Sequence, residues 1–393
     1  MARTSDFANN DPFTGLQLLS DEAYVSLGSM EAVEWSAPEK KATPWRDFVP
    51  GFLLAAILAG AAVLINPLMP ASIPVGASVL ALVGAILIRN ALPFPVATFV
   101  PGCRWIVSKV IPIAIVALGA GLNLAILATD GLRFLGYIVA AVALSTGLAL
   151  LLGRWIGVRH ITALLIGAGT GICGSSAILA VAPVVDAEED DILLSVGAIN
   201  LVGLIAMFVC IGLGAWFPIP AIDFGILTGS TIHAVPTVAA AAFDHSPEAG
   251  QTATLVKLGR VAMLVPFVLV VSAVWRRRHQ EKTGASAKPT AKGMMKFVPW
   301  FVWGFTATAL VGTLGLIPDL VFSDSPLPLS EATLSGASLL AKAGKLMLTL
   351  AMAAIGLQVG LKSMLRTGAR AVLLSVVVWL IVTGFVGVML KFS

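Results

Sequence analysis

From Phe48 almost to the end of the 393-residue chain, apolar runs of about 20 residues recur, separated by short loops that hold the proline, glycine and charge. A helix of that length crosses the roughly 30 Å hydrocarbon core of a bilayer. Only 12% of the residues are charged and 58% are hydrophobic, where a soluble domain carries about 25% charge. With a mean hydropathy of +0.95 the chain cannot cover itself with polar groups in water. The expected fold is therefore an all-α polytopic membrane protein of about 11 transmembrane helices, with the lipid bilayer as its first partner. The spans read near 48–67, 73–92, 107–127, 133–153, 160–184, 191–216, 222–243, 250–276, 296–316, 333–361 and 368–391.

Loop charge orients this arrangement, because Lys and Arg accumulate on the cytoplasmic side. With the N-terminus inside, the inner loops hold Arg89, Arg104, Lys109, Arg154, Arg159, the block from Arg276 to Lys296, and Lys362, Arg366 and Arg370. The outer loops then hold Asp130, the cluster Asp186 to Asp191, Asp244, Glu248, Asp319, Asp324 and Glu331, with Arg133 as the one misplaced base. This predicts a multi-pass protein with a cytoplasmic N-terminus and the C-terminus outside. Residues 1–46 are polar, richer in acids than bases, and have no apolar core of a signal peptide. They read as a cytosolic, partly disordered extension, and residues 47–393 as the transmembrane domain.

The net charge of +4 is small and spread over loops, so nucleic acid is not an expected partner. Three scattered cysteines form neither a CxxC nor a metal-ligand spacing, so no metal and no cofactor are expected. Gly169-Thr170-Gly171-Ile172-Cys173-Gly174 does spell the GxGxxG of a dinucleotide turn, but every neighbouring segment is a membrane span and no βαβ alternation surrounds it. The glycines call for another explanation. Gly167, Gly169, Gly171 and Gly174 make a poor helix interior, each costing about 1 kcal/mol relative to Ala. Close helix packing through small residues accounts for one or two of them. A cluster followed by Cys173, Ser175 and Ser176 points instead to a discontinuous helix, which survives at membrane depth only where it lines a cavity or is buried in protein.

Ionisable groups inside spans are costly and mark function. Lys257 and Arg260 lie three apart on one helix face, and Lys342 and Lys345 repeat that spacing, whereas carboxylates within spans are nearly absent. Bases without matching acids point to an anionic ligand; snorkelling to the interface is the alternative. His233, beside the helix-breaking Pro236, can be a proton carrier, an anion donor or a packed core histidine. An internal echo links residues 108–127 with 344–365, where Gly-Leu-Asn123-Leu answers Gly-Leu-Gln358-Val. A competing alignment pairs the fifth span with the tenth and divides the last ten spans into two inverted five-helix sets. Both imply the inverted repeats of secondary transporters.

The stretches GAGTGICGSSAI (167–178), GSTIHAVPTVAAA (229–241) and VKLGRV (256–261) together resemble the YeiH-type family of bacterial membrane proteins named as sulfate exporters. The resemblance covers about residues 48 to 391. It implies a bile-acid-symporter-like fold of inverted five-helix repeats with crossing broken helices, set in the inner membrane, with the site near Gly169 to Ser176. It also supplies the substrate class, sulfate or a sulfonate. The expected binding residues are Thr170, Gly171, Cys173, Gly174, Ser175, Ser176, His233, Arg260, Lys345, Asn123 and Gln358. The leading function is a secondary transporter exporting a small anion, with a proton or sodium as coupling ion and a homodimer as open questions. An anion channel and a membrane-embedded enzyme, with Ser175 and His233 as nucleophile and base, are the competing readings. No Walker A motif is present to let this chain use ATP by itself.

Overall fold

The computed structural model describes residues 45–69, 75–91, 96–122, 125–279, 300–318, 320–321, 333–360 and 368–392. The expected N-terminal extension lies outside the described residues, apart from its last two positions. The helices are α1 (Val49–Ile65), α2 (Ala77–Ala91), α3 (Val96–Trp105), α4 (Ile111–Gly119), α5 (Ala125–Ile156), α6 (His160–Gly171), α7 (Ser175–Val181) and α8 (Glu189–Trp216). They continue with α9 (Ala221–Thr231), α10 (Val235–His245), α11 (Pro247–Ala262), α12 (Leu264–His279), α13 (Trp300–Thr313), α14 (Gly336–Gln358) and α15 (Ala369–Phe392). One π turn, Ile106–Val110, joins α3 to α4 into a single rod. Two-residue strands, Leu320–Val321 and Thr333–Leu334, pair antiparallel between α13 and α14.

The chain is a polytopic all-α membrane protein. Seven helices among the described residues are long and apolar enough to cross a bilayer. Only helices satisfy every backbone group within one segment at that depth. Large apolar side chains such as Ile57 (66% exposed), Leu64 (75%) and Val388 (57%) stand on the outside of the bundle, where water would penalise them and lipid does not. Trp155, Trp216 and Trp300 stand exposed at helix ends, the level at which aromatic rings prefer the interface.

Packing divides the helices into two bodies. In the first, α14 lies against α2, α4 and α1, with α13 against α4. Glycine permits the close approach: a Cβ on Gly344 would sit 2.9 Å from Leu118 Cγ. In the second body α5, α8, α11 and α15 surround the four short helices α6, α7, α9 and α10. The bodies meet where α10 lies on α14 and α2, and where Gln251 Nε2 donates to the Gly121 carbonyl at 2.6 Å.

The short helices change the expected topology. The 160–184 and 222–243 stretches each read as one crossing, but each folds back on itself as a hairpin. At the first mouth, Arg159, which precedes α6, reaches Glu188 at 2.8 Å and Asp191 at 3.5 Å, both just beyond α7. The Thr162 hydroxyl also donates to Asp191, and the Ser195 hydroxyl donates to the Thr162 carbonyl at 3.3 Å. The hydrogen bond from Arg159 holds the Glu188 carboxyl below its ordinary range. So exposed a pair adds little stability, but it fixes which ends are neighbours. At the second mouth the Phe224 ring stacks on the His245 ring with centroids 4.2 Å apart, bringing the start of α9 to the end of α10. Arg133 grips Asp223 there at 3.1 Å.

Between the hairpins the 28-residue α8 crosses to the opposite face, so the two hairpins enter from opposite sides. The Asp186 to Asp191 cluster is therefore on the same face as Arg159, not across the membrane from it as the loop charges implied. Trp275 Nε1, at the end of α12, donates to Asp186 at 3.4 Å on that face. The misreading has a physical cause. A half-helix of 11 residues reaches about 16 Å, half the core thickness, so two of them contain the same number of apolar residues as one crossing. Acids, moreover, carry little topological weight. Because two crossings become hairpins, the parity of the chain ends is unchanged. A hairpin followed by a longer helix occurs twice, as α6–α7–α8 and then as α9–α10–α11, with the second hairpin entering from the opposite side.

Single cysteines at the exposed positions Asp190 and Arg277 should label from one side of sealed vesicles, and a cysteine at Glu248 from the other. Opposite-side labelling of Asp190→Cys and Arg277→Cys would refute the first hairpin.

Candidate functional site

The hairpin tips are built alike. In the first, α6 ends at Gly171, the chain turns through Ile172, Cys173 and Gly174, and α7 begins at Ser175. Gly174 has φ 73° and ψ −130°, a conformation that an L side chain strains to adopt. In the second, α9 ends at Thr231, Ile232 to Ala234 are non-helical, and α10 begins at Val235 with Pro236 in its first turn. Proline there lacks only an N–H that the first turn would leave unbonded anyway. Neither α7 nor α10 has a side-chain cap.

Both tips meet the middle of α8. Ser175 Oγ donates to Asn200 Oδ1 at 2.9 Å. One turn further on, a Cβ on Gly203 would lie 3.3 Å from His233 Cβ, so glycine there lets the second tip approach the helix.

From the other side, Lys257 and Arg260 of α11 reach both tips, and each is fully buried. Lys257 Nζ donates to the Ile172 carbonyl at 2.8 Å and to the Ile232 carbonyl at 3.0 Å, the C-cap residues of α6 and α9. Arg260 donates from Nε to Gly171 O at 2.8 Å, and from Nη1 to Gly229 O at 2.9 Å and Ile232 O at 3.3 Å. Its Nη2 donates to Thr170 O. A broken helix exposes its last carbonyls, which carry the negative end of the helix dipole. Two side-chain cations answer that charge here.

Around this knot, several buried polar atoms have no partner among the described residues. They are Thr170 Oγ1, Ser230 Oγ and both ring nitrogens of His233. Thr170 and Ser230 are each the penultimate residue of their half-helix, so the tips offer one hydroxyl apiece from equivalent positions. An unsatisfied buried polar group costs about 1–3 kcal/mol and calls for an explanation such as a ligand or water.

The expected site residues divide. Thr170, Gly171, Cys173, Gly174, Ser175, Ser176, His233 and Arg260 all belong to the tips or to the side chains that bind them. Lys345 does not: its Nζ lies 5.3 Å from the Phe243 ring centroid and 3.5 Å from the Phe243 carbonyl, at the mouth of the second hairpin. Beside it, Asp244 accepts the Gly76 backbone N–H, joining the two bodies. Gln358 closes the far end of α14, where its Nε2 donates to Ala354 O at 3.1 Å and its buried Oε1 has no partner among the described residues. Asn123 lies outside the described residues. Ser230 and Asn200 were missed. The signal for Ser230 was its place just before a second three-residue break; for Asn200, a lone amide within an apolar span.

Comparison with known proteins fixes the family. Residues 50–375 match the family described as Conserved hypothetical protein 698. The chain belongs to that family. A UPF0324 membrane protein of Agrobacterium fabrum is 31% identical over 328 residues, 83% of this chain and 87% of that protein. One of Bradyrhizobium diazoefficiens is 32% identical over 328 residues, 82% of this chain and 86% of its own length. UPF0324 membrane protein TauZ of Paracoccus denitrificans is 34% identical over 293 residues, 73% of this chain and 80% of its own. The match agrees with the resemblance to the YeiH-type proteins, and this UPF0324 member is a multi-pass membrane protein.

Gly174→Ala should lower stability by about 1–3 kcal/mol, the cost of a side chain in that backbone region. Gly167→Ala should also destabilise, because its Cβ would lie 2.8 Å from Thr146 Cα in the neighbouring α5. Thermal unfolding of purified variants checks both. A Gly174→Ala protein as stable as the native one would contradict the tip geometry.

Proposed function

We propose that this protein is a secondary transporter that exports a small oxyanion, sulfate, a sulfonate or a related organic anion, across the bacterial inner membrane. The carrying observation is Arg260. It is fully buried, it is bonded to carbonyl oxygens, and no described ion pair gives it a carboxylate. Beside it stand unsatisfied hydroxyls and an unsatisfied imidazole. A buried positive field next to unused hydrogen-bonding groups is a setting for an anion.

In this reading the bases do not grip the substrate directly. Arg260 and Lys257 hold the tips and supply the field, while the Thr170 and Ser230 hydroxyls and the His233 imidazole bind the ligand's oxygens. Ser175, bonded to Asn200, holds the first tip in register. Residue by residue, this moves the direct contacts from Arg260, Lys345 and Gln358 to the tip hydroxyls.

Two hairpins entering from opposite faces put the ligand mid-membrane, with a tip between it and each side. Alternating access then follows if the hairpin body shifts against the body of α1, α2 and α14, so that first one tip and then the other faces water. The face at the mouth of the first hairpin carries Arg89, Arg154, Arg159, Arg277 and Arg370, which supports a cytoplasmic N-terminus and an external C-terminus. An anion channel needs a continuous path, and two closed tips argue against it.

Labelled sulfate in proteoliposomes tests this. The transporter reading expects saturable exchange accelerated by unlabelled sulfate on the opposite side; linear, uncoupled flux would point to a channel. Thr170→Val and Ser230→Ala should each raise the apparent KM about 2- to 10-fold, the loss of one hydrogen bond worth roughly 0.5–1.5 kcal/mol. Lys345→Gln should leave it within about twofold, since Lys345 stands part-buried at the mouth, on Phe243 and away from the tips. Silent hydroxyl variants beside a disabling Lys345→Gln would move the site to the mouth.

A further inference from the structure

Unwound carbonyls and half-helix C-termini are where membrane transporters coordinate coupling cations. Here the two broken helices present five such oxygens, on Thr170, Gly171, Ile172, Gly229 and Ile232. Each is engaged by a nitrogen of Lys257 or Arg260, at 2.8 to 3.3 Å for all but the shorter Thr170 bond. Oxygens already bonded to a fixed ammonium or guanidinium group cannot also ligate sodium without expelling it, and like charges at that spacing repel.

We infer that Lys257 and Arg260 are built-in replacements for a coupling cation, so that the tip site binds and moves its substrate without sodium or any other metal ion. Ile232 O receives both Lys257 and Arg260, and each side chain also reaches the first tip. The fixed cations therefore do the two things a bound sodium would do. They neutralise the carbonyl ends, and they lock the tips to each other so that the hairpins move as one unit. The distribution of other groups agrees: among the described residues no cluster of His, Cys, Asp and Glu could hold a metal ion. Exchange is then driven by the substrate's own gradient, by a counter-anion or by protons.

This inference rests on the transport reading only for the word substrate, and the experiment separates the two. Full-length purified protein is melted in choline chloride and in sodium or lithium chloride at equal ionic strength. A sodium site filled at ten times its Kd would raise the melting temperature by about 2 °C or more in a saturable way. The expected result is no cation-specific shift, and a saturable sodium shift in the native protein overturns the inference. Lys257→Ala and Arg260→Ala expose the carbonyls. In choline both should melt lower than native, with Lys257→Ala regaining stability in sodium or ammonium and Arg260→Ala in dilute guanidinium. Variants as stable as native in choline would overturn it as well. The same buffers applied to sulfate exchange should give equal rates. Absent exchange together with cation-independent melting would sink the transport reading alone.

Discussion

The structure turns on the bonds from Lys257 and Arg260 to the carbonyl ends of two half-helices. Breaking a helix in hydrocarbon leaves several carbonyls without partners, each costing several kcal/mol if left so. Burying a lysine and an arginine in the same place is costly too. Each cost cancels the other here, because the cations supply the missing donors and the carbonyl dipoles supply the missing negative charge. Everything nearby follows. The tips can end mid-membrane, Ser175 can reach Asn200, and Gly203 can let His233 approach.

The pairing also explains why the polar atoms divide as they do. Charged donors take backbone carbonyls, which are strong acceptors fixed in place. The remaining polar groups at the tips, Thr170, Ser230 and His233, have no hydrogen-bond partner among the described residues. An anion held by neutral donors in a positive field can be released more easily than one locked in a direct salt bridge. For the anion export proposed above, which requires release on the far side, that is the better arrangement.

Much of the fold was legible in the sequence. Apolar run length gave the membrane class, and the glycine cluster at 167–174 with Pro236 gave both helix breaks. What hydropathy cannot register is a reversal, since the second hairpin's two arms of 11 residues each contain the apolar content of a single crossing. The acidic loop then lent false support, although Arg159 just before the first hairpin was the partner that belonged to it. In the site, spacing put Lys257 and Arg260 on one face, as they stand in the structure. It could not say that their hydrogen bonds go to carbonyls, because backbone acceptors leave no mark in a sequence. Lys345 shared the same spacing pattern yet belongs to the mouth, beside Phe243 and Asp244. Ser230 looked like an ordinary span residue until its equivalence to Thr170 was visible.

The most direct test of the whole account is a cryo-EM map of the full-length protein in lipid nanodiscs with saturating sulfate. The account predicts tetrahedral density enclosed by Thr170, Ser230 and His233, with Lys257 and Arg260 still bonded to the hairpin carbonyls. Density in contact with Lys345 at the mouth, or α6 and α7 running on as one crossing helix, would contradict it.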